Sequence, residues 1–119
     1  MANLNDSLNE LMTMDGALCA AVVDYSSGMM LGSVGSGVDM ELAAAGNTEV
    51  VRAKMKTMKA LGLNDTIDDI LITLGKQYHL IRPSQKLAGI FVYYVLDKAR
   101  SNLALARRKV ADVESNMSM

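Results

Sequence analysis

The sequence predicts a single α/β domain, a three-layer α-β-α sandwich around a five-stranded, mainly antiparallel sheet in the order α-β-β-α-β-β-β-α. Two observations predict this fold. A chain of 119 residues is long enough for one hydrophobic core and too short for two ordinary domains. Stretches of helical period alternate with short strand-like runs, and the helices suffice to cover both faces of one sheet. We expect one domain over residues 1–119, with a core at about 3–114 and a frayed tail at 115–119.

The N-terminal part predicts a short helix followed by a hairpin. Over residues 3–13, the leucines lie on one helical face and the polar residues on the other. The apolar run "ALCAAVVD" (17–24) is typical of a buried strand, and "GMMLGSV" (28–34) is its neighbour. The link "DYSSG" has the residue types of a short hairpin loop, so these strands are predicted to be antiparallel.

The longest periodic stretch, residues 39–61, predicts a helix with two apolar stripes. Asp39 is a suitable N-cap and Gly62 a suitable terminator. The first stripe consists of Leu42, Gly46, Val50, Ala53, Thr57 and Ala60. The second, roughly 160° away around the helix, consists of Ala44, Thr48, Val51, Met55 and Met58. Because one stripe suffices to cover a sheet, we assign the second stripe to a dimer interface.

Charged residues occupy a single sector of the same helix, beside the apolar stripes. This polar sector consists of Glu41, Glu49, Arg52, Lys56 and Lys59. A charged sector is usual on the exposed side of a helix. Next to a dimer interface it is also a candidate partner-binding surface, since mixed charges set the orientation and rate of association.

Three strand-like runs and a last helix follow. The runs are "TIDDILITL" (66–74), "QYHLIRPS" (77–84) and "LAGIFVYYVLD" (87–97), and the short links between them predict an antiparallel meander. Apolar residues then repeat at spacings of four and three, which predicts an amphipathic helix. They are Ala99, Leu103, Ala106, Val110, Val113 and Met117.

The run at 66–74 carries acids at its start and a base just beyond its end. A two-fold antiparallel pairing with the same run of a second copy, centred near Ile72, would set Asp68 of one chain opposite Lys76 of the other. Such a pairing would also cover an exposed strand edge. We therefore add Asp68, Ile70, Ile72 and Lys76 to the predicted dimer interface.

The glycine-rich link "LGSVGSGVD" resembles a phosphate-binding loop only superficially. A P-loop ends in Lys and Ser/Thr, whereas the glycines here are followed by Val38 and Asp39. The spacing of Gly32, Gly35 and Gly37 is the reverse of the dinucleotide fingerprint. The Asp39 carboxylate would also occupy the helix terminus that a phosphate requires. The link is predicted to be a turn, with no nucleotide cofactor.

The sequence offers no catalytic or metal-binding set. His79 is the only histidine and lies within a strand, and Cys19 is the only cysteine and lies in an apolar run typical of a core position. Asp68 and Asp69 are adjacent, so on a strand they face opposite sides. We expect a protein that is not an enzyme and uses no cofactor or metal.

Composition excludes two further classes. Twelve basic and thirteen acidic residues leave a net charge of -1, and there are one Phe, four Tyr and no Trp, so nucleic-acid binding is not expected. No apolar run approaches the roughly 18 residues of a membrane span, and the N-terminus has no basic signal-peptide region. A single cysteine fits a reducing compartment, so we expect a cytoplasmic protein without membrane insertion.

Three stretches, in their order along the chain, resemble the Roadblock family of dynein light-chain-like domains, which includes bacterial regulators of small GTPases. They are "GALCAAVVDYSSGMML" (16–31), "GSGVDMELAAAGNTEVVRAKMKTM" (35–58) and "LIRPSQKLAGIFVYYVLDKARSNLALARRKV" (80–110). The resemblance implies a Roadblock/profilin-like sandwich and a homodimer or heterodimer built on the middle helix and third strand, of which we expect the homodimer. It also implies a non-enzymatic scaffold or regulator of a Ras-like small GTPase that docks on the middle helix.

Two other functions remain compatible with the sequence. One is a purely structural dimerisation module with no GTPase partner. The other is a small-ligand sensor, for which the candidate pocket residues are Tyr78, His79, Tyr93 and Tyr94.

Overall fold

The computed structural model describes residues 3–118 and has the predicted order of elements. The helices are α1 (Leu4–Leu11), α2 (Met40–Ala60) and α3 (Leu103–Asn116). The strands are β1 (Ala17–Asp24), β2 (Met29–Gly35), β3 (Ile70–Thr73), β4 (Gln77–Pro83) and β5 (Ile90–Asp97). Residues 1, 2 and 119 of the predicted domain lie outside the described residues. Within the described part of the chain, no helix is both long and apolar enough to span a membrane.

The strands form one antiparallel sheet in the order β2-β1-β5-β4-β3. The predicted β1–β2 hairpin and the β3-β4-β5 meander are both present, and pairing of β1 with β5 joins them. The central strands β1 and β5 are almost completely buried, which explains their continuous apolar sequences. The sheet ends in two edge strands, β2 and β3.

Helices cover both faces of the sheet. α1 and α3 pack on one face, where Leu8, Tyr94 and Val110 belong to one core cluster. α2 packs on the other face, where Val51 and Tyr93 belong to a second cluster. Because successive strand residues point to opposite faces, the neighbours Tyr93 and Tyr94 enter different cores. The predicted three-layer α-β-α sandwich is confirmed.

α3 begins four residues after Ala99, the first member of its predicted apolar repeat. The Ala99 N–H donates to the Asp97 carboxylate (3.1 Å), which holds this residue in a turn. The helix starts after Asn102, whose side-chain oxygen accepts a hydrogen bond from the Leu105 N–H (3.1 Å). Asn is a favoured N-cap residue because it satisfies a backbone donor that has no partner within the helix.

α3 also extends beyond the expected end of the core at 114. The helix runs to Asn116, and Met117 is completely buried in the cluster formed with α1. Met117 continues the stripe of Val110 and Val113, so the apolar period holds the chain end against the core. The expected frayed tail at 115–119 is therefore packed at least through Met117.

Candidate protein-interaction surface

The orientation of α2 reverses the predicted roles of its two stripes. Ala44, Thr48 and Val51 are at most 3% exposed and face their own sheet. Met55 is half-buried against the same cluster, and Met58 is half-buried towards the end of the helix. The assignment of this stripe to a dimer interface is therefore corrected, because the sheet of the same chain already covers most of it.

The side-chain sizes on the sheet explain this orientation. Ala44 and Val51 of α2 share one buried cluster with Phe91 and Tyr93 of β5. Close packing in a cluster that holds such large rings favours small side chains on the helix. Ala44 and Thr48 meet this requirement. The Thr48 hydroxyl donates to the Ala44 carbonyl (2.8 Å), which satisfies its hydrogen bond within the helix and permits burial.

The first stripe of α2 faces solvent, and we call it the outer stripe. Its members are Leu42, Gly46, Val50, Ala53, Thr57 and Ala60, and all are exposed. Leu42 is 70% and Val50 37% exposed. Contiguous apolar surface of this kind marks protein-interaction sites more often than isolated apolar residues do. The outer stripe therefore takes the place of the second stripe as the candidate interface on this helix.

The polar sector lies beside the outer stripe on the exposed side of α2. All five members, Glu41, Glu49, Arg52, Lys56 and Lys59, are exposed. Among residues 3–118, no salt bridge involves a member of this sector. The structure thus places the predicted partner-binding residues where a partner could reach them, and their role stays a prediction.

β3 presents an open edge, because it pairs with β4 on one side and forms an end of the sheet. The Leu74 N–H donates to the Gln77 carbonyl (2.9 Å) at the turn. Hydrogen-bonded positions alternate along an antiparallel ladder, so Ile72 bonds to β4. Leu71 and Thr73 consequently direct their N–H and C=O groups towards the open edge.

β3 is shorter than the run predicted at 66–74. Asp68 precedes the strand and Lys76 lies in the turn before β4, so the predicted pairing of these two charges has no strand to support it. Side chains from other elements hold the segment before β3. Arg107 of α3 makes two hydrogen bonds of 2.9 Å to Asp69, and Arg82 of β4 donates to the Asp68 carbonyl (3.3 Å).

A buried ion pair that sequence reasoning missed supports this segment. Glu114 of α3 is 2% exposed and accepts hydrogen bonds from Arg82 Nε and Ser84 Oγ, both at 3.1 Å. Arg82 therefore connects α3 to the residues preceding β3. The sequence indicates this ion pair only through the position of Glu114, which lies four residues after Val110 and so continues the buried stripe of α3.

The α2-side face of β3 and β4 is only partly covered. α2 packs mainly over β1 and β2, while Ile70 and Ile72 of β3 turn towards this side and are half-buried. His79 of β4 pairs directly with Ile72 and is also half-buried. These residues form a partly open apolar surface beside the β3 edge.

His79 belongs to a chain of neutral hydrogen-bonding groups. Its Nδ1 lies 2.8 Å from the Tyr93 hydroxyl, and its Nε2 lies 2.8 Å from Gln77 Oε1. Burial lowers the pKa of His79. Burial also raises the pKa of Tyr93, partly offset by a hydrogen bond from the Asn47 side chain. A neutral His79 ring with its proton on Nε2 satisfies both hydrogen bonds. Nε2 then donates to Gln77 Oε1, and the Tyr93 hydroxyl donates to Nδ1.

The residues proposed for a small-ligand pocket do not converge. His79 and Tyr93 face α2, whereas Tyr78 and Tyr94 pack with the cluster under α1 and α3. The Tyr94 hydroxyl donates to the Leu11 carbonyl, and burial raises the pKa of Tyr94 strongly. A pocket of about 410 Å³ lies elsewhere, beside the C-terminal end of α2. In residues 3–118, no group of three or more His, Cys, Asp or Glu side chains could hold a metal ion.

Two glycines of the link between β2 and α2 adopt backbone conformations that other residues rarely adopt. Gly35 has φ +85° and Gly37 φ +106°, in the left-handed region that favours glycine. Asp39 caps α2 by accepting a hydrogen bond from the Leu42 N–H (3.2 Å), as predicted. The shape of the turn therefore accounts for Gly35 and Gly37, and Asp39 marks the start of α2.

Together, the sheet order and the helix layers define a three-layer α/β sandwich. No family model matches the sequence, and no curated protein matches it. The structure is similar to MglB of Myxococcus xanthus, with TM-score 0.81 and 18% identity over 93% of this chain and 88% of that chain. It is similar to a Roadblock/LC7 domain of Streptomyces avermitilis, with TM-score 0.81 and 11% identity over 96% and 93% of the two chains. An MglB with a tetrameric arrangement is also similar, with TM-score 0.78 and 14% identity over 92% and 81%.

At these identities the likeness establishes the fold. The resemblance to Roadblock domains seen in the sequence is thus confirmed in the arrangement of its three layers.

Proposed function

We propose that this protein is a cytoplasmic, non-enzymatic scaffold or regulator that forms a homodimer and binds a Ras-like small GTPase through α2. The observation that carries the proposal is the pair of uncovered surfaces, the outer stripe of α2 and the edge of β3. The similarity to an MglB with a tetrameric arrangement supports self-association, and the sequence resemblance to Roadblock regulators supports a GTPase partner.

A second copy related by a two-fold axis would pair its own β3 with the open β3 edge. An axis through Ile72 pairs Leu71 of one chain with Thr73 of the other, and the reverse pair follows by symmetry. Both residues direct N–H and C=O groups outward, so these pairs complete an antiparallel ladder. The half-buried Ile72 side chains would meet at the axis. This arrangement keeps the predicted centre near Ile72 without requiring the Asp68–Lys76 contact.

The outer stripe of α2 is the second, apolar contact surface that we propose for the homodimer. Leu42 and Val50 gain about 1.5–3 kcal/mol each if a partner buries them fully, before the cost of association. The small residues between them, Gly46 and Ala53, allow another helix to approach closely. The dimer would thus combine β3 pairing with packing against α2.

The polar sector beside the outer stripe is the proposed GTPase contact. Its exposed acids and bases offer complementary charges that orient a partner. The proposed protein acts by binding, so the nucleotide chemistry stays with the GTPase.

Sedimentation equilibrium at micromolar concentration tests the dimer, and we expect twice the chain mass. The GTPase arm uses a purified Ras-like GTPase, loaded with GDP or with a non-hydrolysable GTP analogue. We expect saturable binding that differs between the two nucleotide states. A dimer that binds neither form and changes neither hydrolysis nor exchange would support the purely structural module. A monomer would contradict the proposed interface itself.

A further inference from the structure

His79 is the only histidine of the chain and lies one strand inside the β3 edge. It pairs directly with Ile72, the residue on the proposed two-fold axis. Side chains of directly paired residues lie about 4.5–5.5 Å apart at Cβ. A second copy that covers Ile72 therefore also reduces the solvent exposure of the His79 ring.

Within residues 3–118, the side chains hydrogen-bonded to the ring are neutral and do not stabilise its protonated form. β5 contributes the Tyr93 hydroxyl and β4 the Gln77 amide. β1 contributes the buried thiol of Cys19 next to Tyr93, and burial raises the pKa of that thiol. α2 contributes Asn47 through Tyr93, and burial is the cause of the lowered His79 pKa.

Charged residues of the packed elements lie outside this hydrogen-bonded set. Asp97 of β5 pairs with Gln77 in the sheet, and its carboxylate accepts a hydrogen bond from the Ala99 N–H (3.1 Å). Lys54, two turns after Asn47 on α2, is exposed to solvent. Asp69, the acid preceding β3, is bound to Arg107 of α3 on the other side of the sheet.

We propose that His79 makes self-association of this protein pH-dependent, so that the dimer forms with neutral rings and protonation of His79 weakens it. The inference rests on the proposed dimer. In the hydrogen-bond chain, Nδ1 accepts from Tyr93, and a proton on Nδ1 would remove that acceptor. A second copy would also remove the water that otherwise solvates the charged ring.

The sign follows from proton linkage. Burial disfavours the charged form, so the pKa of His79 is lower in the dimer than in the free chain, where it already lies below its ordinary value of 6.5. The free chain then binds more protons than the dimer between these two pKa values. Association therefore strengthens as pH rises through this window and weakens as pH falls through it.

The size of the effect depends on the two rings of the dimer. A decrease of about one pKa unit in each ring predicts a Kd about a hundredfold higher below both pKa values, and about tenfold higher midway between them. Sedimentation equilibrium across about pH 7.5 to pH 5, at constant ionic strength, measures this change. The imidazole proton signals of the single histidine give both pKa values directly, in dilute and in concentrated samples.

The matched variant is His79→Gln, which keeps a polar side chain that does not titrate. We expect it to dimerise with a Kd that hardly changes over the same pH range, and circular dichroism at each pH confirms that both proteins stay folded. A wild-type dimer with a pH-independent Kd, or equal pH dependence in His79→Gln, would overturn the role of His79 and leave the dimer standing. A wild-type monomer at every pH would overturn both the dimer and this inference.

Discussion

At the residue scale, Gly35 shows how one position shapes the link between β2 and α2. The chain leaves β2 at Gly35 with φ +85°, and the next residue, Ser36, donates its N–H to the Leu18 carbonyl (3.1 Å). A Cβ at position 35 would collide with that carbonyl oxygen and lie 2.7 Å from Cys19 Cα. Glycine is therefore required both by conformation and by the close approach of β1.

Gly35→Ala should destabilise the fold by about 3 kcal/mol or more, since left-handed strain and a backbone collision add. Gly37→Ala is the matched control. Gly37 also has a positive φ, but a Cβ there would meet nothing within 4 Å, so strain alone should cost about 1–2 kcal/mol. Urea unfolding followed by circular dichroism measures both values. Equal losses in the two variants would show that the close approach to Leu18 contributes nothing.

At the element scale, α2 shows what a single sequence can and cannot predict. Its length, its Asp39 cap and its two apolar stripes were all predictable, because they follow from local residue types and a period of 3.6. Which stripe covers the sheet was not. That choice depends on packing with residues far along the chain, since Ala44 shares a buried cluster with Phe91 and Tyr93.

The ends of β3 and α3 also differ in whether local sequence predicts them. Short links and β-branched residues predicted the meander, but the strand at 66–74 is limited to Ile70–Thr73. The residues before it are held by Arg82 and Arg107, partners that no local pattern reveals. The true start of α3, in contrast, was marked locally by Asn102.

Paired substitutions on α2 separate its two stripes. Val50→Lys changes the exposed outer stripe, so we expect less than about 0.5 kcal/mol loss of folding stability and a dimer Kd raised at least about tenfold. Met55→Lys changes a residue packed against the sheet, so we expect it to destabilise the fold by about 2 kcal/mol. Urea unfolding at low protein concentration and sedimentation equilibrium measure the two effects. A Val50→Lys protein with wild-type Kd would exclude the outer stripe from the interface.

At the scale of the whole molecule, the two edges of the sheet differ in their ability to pair. In β2, Val22 pairs with Gly32 and Val23 with Met30, so Leu31 bulges out of the ladder. Bulges bend and twist an edge and hinder the addition of another strand. β3 pairs with β4 in regular register over its whole length. β3 therefore offers a regular edge and β2 a bulged one, a difference that hydrophobic pattern alone does not reveal.

The layers of the molecule also separate its charged surfaces, which allows a matched test of the GTPase contact. The polar sector lies on α2, whereas Arg100 and Arg108 are exposed residues just before and within α3 on the opposite layer. Reversing two bases to acids in either place changes the net charge equally. Any general effect of charge on association should therefore be the same for both pairs.

The double variant Arg52→Glu/Lys56→Glu should weaken binding of the Ras-like GTPase at least about tenfold, largely through slower association, because it reverses the charge of the proposed contact. Arg100→Glu/Arg108→Glu should bind within about twofold of wild type, since α3 lies on the far side of the sheet. Both variants should remain dimeric, because these side chains lie outside the outer stripe and β3. Biolayer interferometry at two salt concentrations measures the rates, and sedimentation equilibrium checks the dimer. Equal weakening by the two variants would point to non-specific attraction and remove the polar sector from the proposed GTPase contact.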